Sequence, residues 1–88
     1  MKVSIIGAVS CIGSSAAFSI ATQGLADEMA LLDINQNLLA AHVIDIRDAV
    51  VACKHDMTIR SGIYEDMTGS DVVIVAVSTA QGRGVPAL

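Results

Sequence analysis

Aromatic residues are scarce in this chain: one tyrosine, one phenylalanine and no tryptophan, 2% of 88 residues. A core built on large rings is therefore excluded, and the 53% of hydrophobic residues must pack through Ile, Val, Leu and Ala. Such a composition favours buried parallel strands flanked by helices. Cations are equally few, five Lys and Arg against nine Asp and Glu, for a formal net charge of −4. A broad basic surface for nucleic acid or anionic lipid is excluded on that balance, and any anion site has to rely on backbone groups. The two cysteines, Cys11 and Cys53, form no CxxC pair and no Cys/His cluster, and His42 and His55 have no ligand pattern around them. No metal site is expected, and reduced thiols point to a cytoplasmic protein. Mean hydropathy is +0.65, yet no run of about 20 apolar residues is long enough to span a membrane. A secretory signal is disfavoured for a related reason: Gly7, Ser10, Gly13, Ser14, Ser15 and Ser19 interrupt the apolar start.

What is present is an alternation of apolar runs and helical periods. Residues 2–6 read as a first strand running into Gly7. Residues 12–23 read as a helix with the small residues Gly13, Ala16, Ala17 and Ile20 on one face, stopped by Gly24. Residues 28–34, EMALLDI, suit a second strand ending near Asp33, and Asn35 is placed to cap the next helix. Leu39, Val43, Ile46, Val50 and Cys53 then recur at helical spacing over 36–53. Residues 57–60 make a short third strand. The β-branched run 71–77 is the strongest strand signal, expected to be central and buried. Short connections make the strands parallel with right-handed crossovers in the order 3-2-1-4. Residues 78–88, small and punctuated by glycine, form a loop, and the whole chain reads as one domain that lacks its second half.

Candidate binding residues cluster at the first turn, Gly7-Ala8-Val9-Ser10-Cys11-Ile12-Gly13. Gly7 permits the tight turn, Gly13 lets helix and strand approach, and together they aim the helix N-terminus at one spot suited to a pyrophosphate. The middle glycine of the usual fingerprint is missing, and packing alone is the competing explanation for a glycine at such a corner. Asp33 lies 20 residues beyond Gly13, where an acid bonds ribose hydroxyls and repels a 2′-phosphate, so NAD is favoured over NADP. The alternative is that Asp33 caps the following helix. Val77 and Ser78, at the end of the last strand, complete the expected cofactor contacts.

Taken together, MKVSIIGA, Ile12-Gly13-Ser14, Leu31-Leu32-Asp33-Ile34, Asp45-Ile46 and Ser70-Asp71-Val-Val-Ile-Val resemble the malate/lactate dehydrogenase family. The resemblance implies a Rossmann-like α/β half-domain, the N-terminal NAD-binding segment of an oxidoreductase that interconverts a 2-hydroxy acid and a 2-oxo acid. The catalytic histidine, its aspartate partner and the substrate arginine of that family have no counterparts here, so no catalytic residue is assigned and the 88 residues alone are expected to be inactive. Gly7, six positions before Gly13, matches the malate-type turn, where the lactate type has a glycine at the position of Ala8. Ser10 then occupies the middle-glycine position and is expected to crowd the pyrophosphate. In the last loop Ser78, Ala80, Gln81 and Ala87 replace the family's first glycine, proline and two arginines, and Arg83 is out of register by two. The resemblance also implies a homodimer through the helix at 36–53. Two other readings stand beside this one: a noncatalytic nucleotide-binding or interaction module, and a truncated product that only partly folds. Cys11, near a helix N-terminus, is either an oxidation-sensitive thiol or a small filler of the turn.

Overall fold

A computed structural model describes residues 1–77. Its elements run β1 (Lys2–Ile6), α1 (Cys11–Gln23), β2 (Glu28–Leu32), α2 (Gln36–Ala52), β3 (Thr58–Ser61), a short 3₁₀ turn (Tyr64–Met67) and β4 (Val72–Val75). All strand pairs are parallel, and the sheet order is β3-β2-β1-β4. The expected topology is therefore the observed one.

Register divides the sheet into two faces. Val3, Met29 and Ile59 stand side by side, as do Ile5, Leu31 and, across β1, Ile74. All of these but Ile74, which is partly buried and packs against them, share one core cluster with Ala17 and Ala21 of α1 and with Leu39, Val43, Ile46 and Val50 of α2. Both helices thus cover the same face, as two consecutive right-handed crossovers toward the β3 edge require. Alanine at positions 17 and 21, one turn apart with Gly13, lets α1 lie close on β1. The branched stripe on α2 supplies the bulk, with Leu39 and Ile46 fully buried. Each such side chain stabilises the fold by about 1.5–3 kcal/mol through its removal from water.

The opposite face carries Lys2, Ser4, Glu28, Ala30, Leu32 and Arg60, and Ser4 and Ala30 are fully buried there. Their cover is the connection from β3 to β4, which crosses this face. Ser4 Oγ pairs with Ser70 Oγ at 2.7 Å, and Lys2 Nζ donates to the carbonyls of Asp66 and, at 3.1 Å, Thr68.

Several expectations shift. α1 starts one residue earlier, at Cys11, because Ser10 caps it: Ser10 Oγ accepts the Gly13 N–H at 3.0 Å. Asn35 caps α2 as expected, accepting the Leu38 N–H at 3.2 Å. Cys53 leaves the buried stripe, because α2 stops at Ala52 and Cys53 is its exposed C-cap. β3 lies one residue later than expected, and the 3₁₀ turn carried no periodic signal. The burial expected of β4 is not seen among the described residues: there it pairs with β1 alone, Val72 and Val75 are 42% and 63% exposed, and only Ile74 packs against the core.

Candidate cofactor site

The carboxyl ends of β1, β2 and β4 open on a cleft of about 440 Å³. Gly7 and Ser10 line it from the first turn, Asp33, Ile34 and Gln36 from the end of β2, Gly62 to Tyr64 from beyond β3, and Ala76 and Val77 from the end of β4. Gly7 has φ +83°, and a Cβ there would sit 2.8 Å from the backbone of Ala76. A side chain is excluded on both grounds. At Gly13 a Cβ would overlap the carbonyl oxygen of Gly7, so only glycine lets α1 start this close to β1.

The same turn leaves donors free. Ala8 N–H goes to Leu32 O, Val9 N–H to Asp33, Ser10 N–H to Gly7 O, Gly13 N–H to Ser10 Oγ and Ser14 N–H to Ser10 O. The N–H groups of Cys11 and Ile12 have no acceptor among the described residues. Two unpaired donors at the positive end of a 13-residue helix, with no acidic residue in the first turn, suit an anion. Cys11 and Ile12 offer only backbone, since both side chains point to solvent, Ile12 being 73% exposed. Gly13 is buried beneath the turn.

Ser10, the residue expected to crowd the pyrophosphate, lines the cleft. Its hydroxyl donates toward Gly7 O at 2.7 Å and Ala76 O at 3.0 Å while accepting from Gly13. The side chain is thus folded back into the turn and joins it to the end of β4. Asp33 stands just past β2, half-buried, with Oδ2 accepting the Val9 N–H and Oδ1 the Asn35 N–H, each at 3.1 Å. Because Asn35 performs the cap, both Asp33 oxygens keep lone pairs for hydroxyl donors. Ser78 lies outside the described residues, as do Ala80, Gln81, Arg83 and Ala87.

Sequence reasoning missed Val9, Ile34, Gln36, Ala76 and the 62–64 wall. Ile34 carried a signal: it belonged to an apparent strand run, yet it is 98% exposed at the cleft and contributes nothing to the core. The wall had none, because no period marks a single 3₁₀ turn. His55 contacts Thr22 O through its ring at 2.9 Å, and no metal cluster occurs among the described residues. No described helix is long and apolar enough to cross a membrane.

A parallel 3-2-1-4 half-sheet, a glycine turn at a helix N-terminus and an acid after β2 define a dinucleotide-binding domain of the doubly wound class. The glycine cradle and the two free N–H groups fit the pyrophosphate such a domain takes. Residues 1–86 match the family described as lactate/malate dehydrogenase, NAD binding domain. The chain belongs to the lactate/malate dehydrogenase family, as its N-terminal NAD-binding domain. It is 43% identical over 84 residues to an L-lactate dehydrogenase of Thermus aquaticus, covering 96% of this chain and 26% of that protein. Among solved structures, a lactate dehydrogenase from a Medee basin deep-sea metagenome library superposes with a TM-score of 0.85 at 26% identity, over 97% of this chain and 27% of that one. A malate dehydrogenase from Salinibacter ruber superposes with a TM-score of 0.79 at 28% identity, over 90% of this chain and 26% of that one. The chain spans about a quarter of the length of these relatives.

Proposed function

We propose that this single domain holds NAD for an oxidoreductase that interconverts a 2-hydroxy acid and a 2-oxo acid. The observation that carries the assignment of site residues is the pair of N–H groups at Cys11 and Ile12, without acceptors among the described residues, beside the carboxylate of Asp33. The N–H groups hold the pyrophosphate, Gly7 and Gly13 let it approach, and Asp33 accepts ribose hydroxyls. Val77 lines the cleft just past β4, and Ser78 is assigned a cofactor contact on the family resemblance alone. When bound, NAD supplies a hydride acceptor at its nicotinamide ring. Every role assigned to these residues is binding and orientation, and the remainder of such an enzyme carries the chemistry.

Malate is the substrate favoured by the position of Gly7 and by Ala8 in the turn. The Thermus aquaticus relative carries the name L-lactate dehydrogenase, so malate and lactate form the pair to compare. The free, exposed thiols Cys11 and Cys53 suit a cytoplasmic setting. The outer face of α2, with Leu38 and Ile44 about half exposed, suits a homodimer. Titration of the 88-residue chain with NAD, repeated on Asp33→Ala, tests the cofactor reading. Affinity unchanged by that substitution removes Asp33 from the site. Turnover of malate or lactate by these 88 residues alone overturns the assignment of binding without catalysis.

A further inference from the structure

The wall of the cleft formed by residues 62–64 is held by neither ladder nor core. Gly62 N–H still donates to Leu31 O at 2.9 Å, but beyond it the chain leaves the sheet, and Ile63 and Tyr64 are 65% and 69% exposed. What fixes this segment is Asp66. Its Oδ2 accepts the Ile63 N–H at 2.6 Å, and its Oδ1 accepts from Arg60 Nη1 at 2.7 Å. Arg60 is itself anchored on Glu28 Oε2, through Nε at 2.9 Å and Nη2 at 2.8 Å. Glu28 opens β2 and Arg60 lies in β3, so the guanidinium rests on two strands of the sheet. From the other side, Lys2 Nζ holds the Asp66 carbonyl.

A continuous set of charge-assisted bonds therefore runs from the sheet through Arg60 and Asp66 to the backbone of the wall. Planar guanidinium geometry suits this, since its fork reaches two carboxylates at once, which a point charge cannot do. The Asp66 carboxyl is accordingly held below the usual carboxylate range, first by the Ile63 N–H and then by Arg60. Exposed ion pairs contribute little to global stability. Their effect here is on where one exposed segment sits.

We infer that Arg60 and Asp66 are positioning residues for dinucleotide binding, setting the Ile63–Tyr64 wall of the cleft they do not themselves line. This rests on the cleft being the NAD site. The chain's single tyrosine is Tyr64 and it has no tryptophan, so intrinsic emission reports on the wall directly.

The test measures NAD affinity, tyrosine anisotropy and far-UV circular dichroism on the 88-residue chain and on Asp66→Asn, Arg60→Gln and Arg60→Lys. The first two substitutions are expected to weaken NAD binding about tenfold and to lower tyrosine anisotropy while the circular dichroism stays unchanged. Arg60→Lys, which keeps the charge and loses the fork, is expected to retain folding and recover part of the affinity. NAD binding as tight in the variants as in the parent overturns the proposal, as does weakened binding with unchanged anisotropy. Absence of NAD binding by the parent chain overturns the cofactor assignment together with this proposal, so the two failures are distinguishable.

Discussion

Asp33 Oδ2 accepts the backbone N–H of Val9 at 3.1 Å, joining the end of β2 to the glycine turn that ends β1. The residue proposed to read the ribose is thus also the one that holds the phosphate turn in place. Ligand and scaffold share one carboxylate, and its removal acts on both.

Asp33→Ala is accordingly expected to weaken NAD binding about 10- to 100-fold, the range set by losing one or two charge-assisted hydrogen bonds. NADP is expected to bind the parent chain more weakly than NAD, because its 2′-phosphate meets the carboxylate. Isothermal titration with both nucleotides checks this, and equal affinities would remove the ribose role.

Gly13→Ala tests the closeness of helix and strand. A methyl group there overlaps the Gly7 carbonyl, which is backbone and cannot swing aside. A loss of about 3 kcal/mol is expected, a large part of the roughly 5–10 kcal/mol available to a domain of this length. Urea unfolding monitored by circular dichroism measures it; a loss under about 1 kcal/mol would mean the turn is looser than described.

Ser10 separates two ideas about the turn. Ser10→Ala is expected to cost about 1 kcal/mol through loss of the helix cap. Ser10→Gly restores the small middle residue of the family turn. Since the hydroxyl already faces Gly7, Ala76 and Gly13, that variant is expected to bind NAD no more tightly than the parent. A rise of tenfold or more in affinity would show the serine to be an obstruction after all.

Acid should loosen the wall of the cleft before it affects the helices. The Asp66 carboxyl is depressed by the Ile63 N–H and by Arg60, so its contribution is fully present above the ordinary carboxylate pKa of about 4 and is lost as pH falls through the lower, folded value. Tyrosine anisotropy followed from pH 7 downward is expected to stay level to about pH 4 and then fall. In Asp66→Asn the same curve should begin low and lack that step.

Much of the fold was legible in local sequence because its signals are local. The stripe Leu39, Val43, Ile46 and Val50 follows the helical period, Asn35 has the side chain a cap needs, and short connections with right-handed crossovers leave the order 3-2-1-4. Gly7, Gly13 and Asp33 were visible for the same reason: each answers a geometric demand that few other residues can meet. The free N–H groups of Cys11 and Ile12 follow from helix geometry at any N-terminus.

What the sequence alone determined about this protein is thus the parallel half-sheet, the glycine turn and the acid just past β2. Only the tertiary structure decided which chemical face each residue presents. β4 is β-branched throughout, yet its exposure depends on what lies beside it, which no strand period encodes. Ser10 has the size of an obstruction, but its hydroxyl turns inward because Gly7 O, Ala76 O and Gly13 N–H converge on it, and Ala76 is 66 residues away. Arg60, Asp66 and Glu28 are separated along the chain and meet because β2 pairs with β3 and the connection to β4 crosses the face they share. The Arg60–Glu28 pair, 32 residues apart, has no local signature, and it anchors the guanidinium that meets Asp66.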